Sequence, residues 1–435
     1  MNEKNSQKIA FIIQMKYNVS GGNSMLLQFN FENHKSYLHE TTLDLKATSY
    51  KEHKSNLITY KKDEEYLEVA AIYGANESGK SNILDAFKTM QNWVKNSFSA
   101  AEQVSEIPLK PFAFMKNNRK ALYEVFFATG DSEYQYGFEA TKKHVTKEWL
   151  MKRDFRYKQK YTLIFERLGQ TINTSQSLDS AKKLLKSINE KTLALTLLSN
   201  LEFDDIKKAF NWVVSTYVID FGDAFSNFNL DRILPDIAHG DSRYREGLKK
   251  YLNSIGSSVN DLFLEKIVGQ SATNEKNVIY KAYSKHLVLP EKDEYLIPLH
   301  EESSGTRKMI TIFTFLTDAL NNGKTLMVDE LDAKLHPLLM RYIINLFHNE
   351  KTNPKGAQLI FTTHDTNALS NELFRRDQIW FAEKDENGVS ELFSLADFKI
   401  NEAKVRNDAT YNKDYLGGRY GAIPHLKDFM VNDNE

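Results

Sequence analysis

The feature that most constrains this sequence is an octapeptide from Gly74 to Ser81 that fits the pattern G-x-x-x-x-G-K-[ST] in full. Its residues are Gly74, Ala75, Asn76, Glu77, Ser78, Gly79, Lys80 and Ser81. An apolar, strand-like run (67–73) precedes it, and apolar residues at helical spacing (81–98) follow it. In such a strand–loop–helix unit, glycines let backbone N–H groups and the helix N-terminus face phosphates. We therefore expect the octapeptide to bind a nucleotide.

Two side chains of the octapeptide have distinct expected roles. Lys80 should reach the β- and γ-phosphates of ATP and take part in catalysis. Ser81 should offer its hydroxyl to Mg²⁺, because this cation prefers hard oxygen ligands. The alternative is a chance glycine-rich turn, and the strand and helix on either side argue against it.

Two adjacent acids follow a second apolar run, residues 325–328. A run of this kind is typical of a buried parallel strand that carries metal-binding and catalytic groups at its carboxyl end. We expect Asp329 to hold the Mg²⁺ shell beside Ser81, and Glu330 to act as the catalytic base that polarises the attacking water. The alternative is an exposed acidic strand end. Combined with the octapeptide, the pair predicts ATP hydrolysis.

A serine–glycine turn upstream of these acids opens another predicted helix. Its candidate residues are Ser303, Ser304, Gly305 and Thr306. A helix N-terminus is an anion site, but one chain has only one γ-phosphate to bind, so we expect this turn to complete the ATP site of a partner molecule. The alternative is a plain N-cap, which occurs in many helices. The position of the turn just before the acidic strand favours the composite site.

A third apolar run, residues 358–361, ends in polar residues that include His364. We predict that this strand lies beside the strand of Asp329. His364 could then hydrogen-bond the γ-phosphate or the water held by Glu330, and histidine titrates near neutral pH. A lone histidine at a strand end is more often structural, but the predicted neighbouring strand favours a catalytic role.

These four elements, in this order, make the chain resemble the ABC-type ATPases related to RecF and to the OLD-family nucleases. Within that group it is most similar to the RloA and AbiLi type of phage-defence ATPase. The resemblance is carried by residues 74–81, 302–307, 329–337, 361–365, 375–381 and 415–424. One departure is the signature, which starts with Glu302 rather than with the leucine of the transporter form. In the wider class, the segment that matches 332–336 contacts the opposite subunit.

The resemblance implies a fold of the α/β class: an ABC-type P-loop ATPase domain with a mixed sheet and an inserted, mainly helical arm. We expect a flexible leader (1–24), with Met1 or Met25 as the start. The N-terminal half of the ATPase domain (25–145), the inserted arm (146–285) and the C-terminal half with the signature (286–435) should follow.

Composition limits the remaining classes. The absence of cysteine excludes disulfides and thiolate chemistry and fits a reducing compartment. No apolar run approaches the roughly 18 residues of a membrane helix, so we expect a cytoplasmic protein without membrane contact. The formal net charge of −1 gives no overall basic field, so nucleic acid would need a local patch or another subunit.

The resemblance implies an ATPase sensor or regulator in anti-phage, abortive-infection-like defence that controls a separately encoded Toprim-type nuclease. The residues after His364 agree, because they contain no paired D-x-D acids of the kind that two-metal nucleases use. The expected partners are further copies of the chain, in a homodimer or higher homo-oligomer, together with that nuclease and DNA or a phage protein.

Two other functions are weighed against this one. A RecF-like DNA-binding ATPase in DNA repair or recombination predicts a basic surface, although a solvated lysine-rich face explains most such clusters. The candidate basic residues are Lys142, Lys143, Lys147, Lys152, Arg153, Arg156 and Lys158. An AAA-type remodelling motor is disfavoured, because the sequence has no recognisable arginine finger or small C-terminal helical lid.

Two segments have open interpretations. Gln103 is a weak candidate for the glutamine of the Q-loop that the resembled family carries. The aromatic–glycine tail, residues 417–421, could dock a partner or stack on a base. It could equally form a turn that packs the C-terminal part of the chain onto the sheet.

Overall fold

A computed structural model of the chain describes residues 24–61, 64–115, 119–154, 160–221, 242–270, 276–288, 293–400, 403–404 and 410–423. The expected leader lies outside this part except for its last residue, as do Arg156 and Lys158 of the basic cluster. The leader and the choice of start codon therefore stay predictions.

Strands and helices alternate along much of the chain. The strands are β1 (Met25–Glu32), β2 (Thr41–Asp44), β3 (Leu57–Lys61), β4 (Glu64–Leu67), β5 (Val69–Tyr73), β6 (Ala121–Thr129), β7 (Ser132–Ala140), β8 (Val145–Asp154), β9 (Thr162–Leu168), β10 (Thr171–Thr174), β11 (Tyr217–Asp220), β12 (Val259–Gln270), β13 (Lys276–Val288), β14 (Asp293–Pro298), β15 (Thr325–Asp329), β16 (Gln358–Thr362), β17 (Ile379–Lys384), β18 (Ser390–Ser394), β19 (Lys399–Ile400) and β20 (Ala403–Lys404). The helices are α1 (Lys80–Ala100), α2 (Lys182–Leu185), α3 (Ala194–Leu198), α4 (Asp204–Ser215), α5 (Ser242–Ser254), α6 (Ser304–Asn322), α7 (Pro337–Phe347) and α8 (Tyr411–Leu416). None of these described helices could span a lipid bilayer.

A six-stranded sheet carries the predicted site, with the strand order β11-β15-β16-β5-β17-β18. Its first five strands run parallel, and β18 is antiparallel to β17. Every residue of β5, β15 and β16 is buried, as expected for parallel strands that are covered on both faces. The mixed α/β fold is thereby confirmed, and so is the predicted pairing of β15 with β16.

Successive residues of these central strands face two different cores, because side chains alternate across a strand. Ala70 and Ile72 of β5 pack in a core with α1 and the second large sheet. Ala71 and Tyr73 pack on the opposite face, in a core built largely from α6 and α7. The central sheet is therefore the middle layer between these two cores.

The second large sheet is antiparallel and has the strand order β10-β9-β8-β7-β6-β1-β2. β6 and β7 form the hairpin that the sequence predicted, with Gly130 at a φ of 60° in its turn. Helix α1 contacts both β6 and β15, so it lies between the two sheets. Its buried apolar residues are Ile83, Leu84, Ala86, Phe87, Met90, Trp93 and Val94.

The segment 146–285, expected to be mainly helical, contains strands as well as helices, and we correct the expectation in this respect. β8, β9 and β10 extend the seven-stranded sheet, and β11 forms the edge of the central sheet beside β15. β12, β13 and β14 form a separate antiparallel sheet that leads into α6. Strand β11 is only four residues long, which is too short to show a periodicity. The boundaries at 145 and 286 stay a prediction.

The amide of Gln358, at the start of β16, connects the two large sheets. Its Oε1 accepts hydrogen bonds from the Leu26 N–H (2.7 Å) and the Thr325 hydroxyl (3.1 Å). Its Nε2 donates to the carbonyls of Leu26 (3.0 Å) and Leu67 (3.1 Å). Both lone pairs and both protons of the buried amide are thus used.

The aromatic–glycine tail packs against the central sheet. The rings of Tyr415 and Tyr420 are buried, and their centroids lie 5.3 and 5.7 Å from that of Phe381 in β17. The Tyr415 hydroxyl donates to the carbonyl of Ala422 at 3.0 Å. Of the two interpretations of this segment, the packing turn therefore describes residues 417–421.

Candidate nucleotide-binding site

The octapeptide forms the loop between β5 and α1, and its glycines have conformations that other residues rarely adopt. The φ angles of Gly74 and Gly79 are 153° and 105°. A Cβ atom at Gly74 would collide with the Ala382 carbonyl oxygen, and one at Gly79 would lie 2.5 Å from Ser390 Oγ. The loop therefore requires glycine at both ends, for backbone geometry and for space.

Two serines outside the motif hold the loop in place. The hydroxyl of Ser390, at the start of β18, lies 2.8 Å from the Ser78 carbonyl oxygen and 2.7 Å from the Ser36 hydroxyl. Asn82, in the first turn of α1, also donates to Ser36 at 2.8 Å. Neither serine could be predicted from the sequence, because nothing local marks residues that come together only in the folded chain.

Lys80 begins α1 and is buried against the loop. Its ammonium donates to the carbonyls of Gly74 (2.9 Å) and Ala75 (2.8 Å). Burial lowers the pKa of Lys80 to about 8, while the nearby acids Asp329 and Asp332 act in the opposite direction. The positive charge is therefore held inside the loop, where phosphate oxygens would approach it.

Asp329 ends β15, and Thr362 ends the neighbouring strand β16. The Thr362 hydroxyl donates to Asp329 Oδ1 at 2.5 Å and accepts the N–H of Glu330 at 2.8 Å. Burial raises the pKa of Asp329, and hydrogen bonds from Thr362 and Ser81 oppose that rise. The structure thus places Ser81 and Asp329, the two predicted magnesium ligands, near each other.

The loop after Asp329 has an unusual backbone. Glu330 and Lys334 have φ angles of 52° and 59°, in the left-handed region that residues other than glycine seldom occupy. Asp332 accepts the backbone N–H of His364 through Oδ2 at 3.2 Å, which joins this loop to the end of β16. Residues in such conformations persist only where their surroundings hold them, and they often occur at functional sites.

His364 lies just past β16, on the same edge of the sheet as Asp329. Desolvation and then the Lys80 ammonium lower its pKa, while Asp332 and Asp329 act in the opposite direction. A lowered pKa favours the neutral ring at physiological pH, which can both donate and accept a hydrogen bond. The geometry is compatible with the predicted role of His364, which stays a prediction.

The signature turn opens α6 as expected. Ser303 is the N-cap, and its hydroxyl accepts the Thr306 N–H at 3.1 Å. A Cβ atom at Gly305 would lie 3.2 Å from the Lys334 carbonyl oxygen, so the turn abuts the loop that follows Asp329. The N-cap interpretation therefore describes the contacts within one chain, and the contribution to a partner's ATP site stays a prediction.

Two further residues near Asp329 and Glu330 had not been predicted from the sequence. Asp220, the last residue of β11, pairs in register with Asp329, and an apolar run ending in an acid was its only signal. Lys308 is buried on α6 and donates to backbone carbonyls of the loop after Asp329. Its signal was a lysine spaced four residues from the buried Ile312 on an apolar helix.

Gln103, the weak Q-loop candidate, is exposed in the turn that follows α1. The P-loop precedes this helix of 21 residues. At 1.5 Å per residue, α1 separates Gln103 from the loop by about 30 Å. The structure therefore does not bring Gln103 to the site, and the assignment is corrected.

The residues present fit ATP and Mg²⁺. The Ser78 hydroxyl is buried in the loop without a hydrogen-bond partner in the described part of the chain. A buried carboxylate such as Asp329 needs a compensating cation, and Mg²⁺ is bound in proteins by carboxylate and hydroxyl oxygens of this kind. The loop, Lys80 and the Ser81–Asp329 pair together supply the groups that a magnesium nucleotide requires.

Comparison with known proteins assigns the chain to a family. Residues 69–370 match the family described as "AAA domain, putative AbiEii toxin, Type IV TA system". The match covers more than half of the chain and includes the loop, the signature turn, both acids and His364. The chain belongs to this family. As a member of this AAA-domain family with these motifs, it carries a nucleotide-binding domain of the ATPase class.

Solved structures similar to this family member include heads of SMC proteins. One is an SMC head bound to the C-winged helix domain of ScpA, at 14% identity and a TM-score of 0.43, over 85% of this chain and 97% of that chain. Another is the SMC head domain from Thermotoga maritima, at 15% identity and a TM-score of 0.39, over 86% and 99% of the two chains. Such low TM-scores add nothing to the assignment. No curated protein matches the chain.

Proposed function

We propose that this chain hydrolyses ATP with Mg²⁺ and closes on it as a homodimer. The observation that carries the proposal is the contact of Thr362 with both Asp329 and Glu330, at the edge of the sheet where Ser81 begins α1. This edge is where open α/β sheets bind ligands. The proposal assigns Ser81 and Asp329 at this edge to Mg²⁺, and Glu330 beside them to the general base.

Each residue then has one task. The loop N–H groups and Lys80 would bind the β- and γ-phosphates. Mg²⁺, when bound by Ser81 and Asp329, supplies charge stabilisation for the transferred phosphoryl group. Glu330 would orient the attacking water and accept its proton, and His364 would hydrogen-bond the same water or the γ-phosphate.

The dimer follows from the second anion site. The N-terminus of α6 at Ser303 to Thr306 offers backbone N–H groups and the positive end of a helix dipole of 19 residues. Each chain would supply its own phosphate loop and the signature of its partner, so two ATP molecules would be enclosed by two chains. Higher homo-oligomers of such dimers belong to the same proposal.

We further propose that this ATPase works in the cytoplasm as a sensor or regulator in anti-phage, abortive-infection-like defence. Its effector would be a separately encoded Toprim-type nuclease, with DNA or a phage protein as the activating contact. The family description, which names a putative toxin of a type IV toxin–antitoxin system, supports a role in a controlled growth-arresting system. A nuclease encoded beside this chain should cleave DNA differently with the wild type than with Glu330→Gln.

The RecF-like alternative has less support, because much of the described basic cluster is neutralised. Lys142, Lys147 and Lys152 pair with Glu106 (3.5 Å), Glu166 (3.8 Å) and Asp205 (2.6 Å). Arg153 pairs with Glu133. Phosphate contacts would have to displace these carboxylates, which weakens any counterion-release contribution to DNA binding.

The dimer is tested with protein that binds ATP but does not turn it over. In Glu330→Gln protein, ATP with Mg²⁺ should increase the population of closed dimer more than ADP does, because ATP binds the closed state better. Small-angle scattering and crosslinking across the signature would measure this closure.

The matched variants add one charge at two different glycines of the Glu330→Gln protein. Gly305→Asp places a carboxylate where the partner's γ-phosphate must approach, so closure should fail while ATP binding at Lys80 remains. Gly130→Asp adds the same charge to a hairpin turn with open space around it. The dimer of this variant should close normally. Normal closure of the Gly305→Asp variant would exclude the composite site and leave Ser303 as a helix cap.

A further inference from the structure

Lys308 makes contacts that the proposed reaction does not yet explain. It lies one turn past the signature in α6, and its side chain is only 6% exposed. Its ammonium donates to the carbonyls of Glu330 (3.1 Å), Leu331 (3.0 Å) and Ala333 (2.7 Å). An ammonium has three protons, so these three bonds use all of them.

The environment of this ammonium is costly to build. Burying a cation carries a large desolvation penalty unless polar groups replace its water. Besides the three carbonyls, the ring of Phe221 lies beneath the ammonium, with its centroid 4.2 Å away. A leucine or methionine could fill an apolar position on α6 without that penalty. Packing alone therefore does not explain why a lysine occupies position 308.

The loop that Lys308 holds is the one that carries the proposed general base. The N–H of Glu330 is held by the Thr362 hydroxyl, and its C=O is held by Lys308. Both peptide groups that flank the Glu330 Cα are therefore fixed, and the residue keeps its left-handed φ of 52°. Fixing the backbone on both sides limits where the carboxylate can point.

The same helix carries the signature at its start. Gly305 abuts the carbonyl of Lys334, at the far end of the loop that Lys308 binds. One chain therefore links its signature turn and its Glu330 through a single turn of helix and the ammonium of Lys308. In the proposed dimer, that signature would contact the ATP of the partner, whereas Glu330 would act on the ATP of its own chain.

We propose that Lys308 is a positioning residue that couples the two ATP sites of the dimer. Engagement of the partner's ATP by the signature fixes α6, and Lys308 transmits that position to Glu330 of the same chain. Each site thus hydrolyses ATP efficiently only when the other is filled, which is a coupling between two binding sites. The inference rests on the proposed ATPase dimer and deepens it.

The test compares Lys308, near the start of α6, with Lys324, which lies two residues past its end. Lys308→Met keeps the length of the side chain and removes its donors. Lys324→Met is the matched control, because the Lys324 ammonium is also paired, with Asp318 at 2.7 Å, and lies 5.2 Å from the Tyr217 ring centroid. ATP hydrolysis by the full chain is measured over a range of ATP concentrations, to give kcat, KM and the Hill coefficient.

We expect Lys308→Met to lower kcat by roughly 10- to 100-fold while KM changes by less than about threefold, because a positioning contact matters mainly in the transition state. Its Hill coefficient should fall from the wild-type value to 1. Lys308→Arg keeps the charge and should recover part of kcat. Lys324→Met should behave as the wild type.

The possible results distinguish a failure of the proposed ATPase function from a failure of the inference about Lys308. A wild type that does not hydrolyse ATP would remove the proposed function, and the inference with it. A wild type that hydrolyses ATP while Lys308→Met matches Lys324→Met would overturn the inference alone, as would a wild-type Hill coefficient of 1. If Lys308→Met does not fold, Lys308→Arg decides, because a planar guanidinium cannot bind three carbonyls around one point and should lower kcat without changing KM.

Discussion

Glu68 is a buried carboxylic acid at the opposite end of β5 from the phosphate loop. Its side chain is 4% exposed, and its Oε2 has no hydrogen-bond partner in the described part of the chain. Burial, and then the nearby charge of Glu350, raise the pKa of Glu68 to about 9. The folded chain therefore holds this group protonated at neutral pH.

The pKa of Glu68 predicts a pH-dependent gain in stability for Glu68→Gln. The unfolded chain loses the proton near its ordinary pKa of 4.5, so the free energy of unfolding should fall as pH rises from 4.5 towards 9. Glutamine removes this titration and should raise the free energy of unfolding by about 1–3 kcal/mol at pH 7. Urea unfolding at pH 4 and pH 7 measures it, and an equal difference at both pH values would contradict the raised pKa.

Lys80 and Glu330 should fail in different ways when they are replaced. Lys80→Ala removes the charge that holds the phosphates, so the dissociation constant of ATP should rise by roughly tenfold or more. Glu330→Gln keeps a group that can hold water but cannot accept its proton, so ATP binding should persist while turnover falls by roughly 100-fold or more. Titration with a fluorescent nucleotide, set beside a phosphate-release assay, separates the two. Wild-type turnover in Glu330→Gln would refute the assignment of the general base.

At the scale of residues, the motifs predicted the contacts that lie close together in sequence or follow from strand order. Ser81 and Asp329 meet because a phosphate loop and an acidic strand end share one edge of a parallel sheet. Thr362, Ser390 and Lys308 belong to the same site, but their partners are backbone and side-chain groups far away in the sequence. No local pattern specifies such a partner, so these contacts appear only in the folded chain.

At the scale of elements, the hydrogen bonds of Gln358 should stabilise the packing of the two large sheets against each other. Gln358→Leu fills similar space but takes the amide partner away from the Leu26 N–H and from the carbonyls of Leu26 and Leu67. Each buried group left unpaired costs about 1–3 kcal/mol. We expect the free energy of unfolding to fall by about 2–4 kcal/mol. Denaturant unfolding measures it, with the exposed Gln103→Leu as a control that should change it by less than about 0.5 kcal/mol. Equal effects of the two substitutions would mean that this packing does not depend on the amide.

The β6–β7 hairpin and the strand–loop–helix unit could be predicted from the sequence, whereas strand β11 could not. The β6–β7 hairpin and the strand–loop–helix unit have enough residues for their periodicity to show, and both form as expected. Strand β11 has four residues and follows directly on the helical run of α4, so the spacing of that helix masked it. Its place beside β15 is decided by packing in the finished sheet, which the sequence pattern does not contain.

At the scale of the whole molecule, the strand order has a consequence for how the chain is made. Strand β5, which carries the phosphate loop, pairs with β16 and β17, which are synthesised about 290 and 310 residues after it. During translation the apolar strand β5 therefore lacks its two neighbouring strands until most of the chain has been synthesised. Closing so long a loop is entropically costly and slow, and an unpaired apolar strand is prone to aggregate. Helix α1 and the seven-stranded sheet, which are complete much earlier, can shelter one face of β5 on the ribosome, so a nascent chain stopped after β10 should protect β5 but bind no ATP.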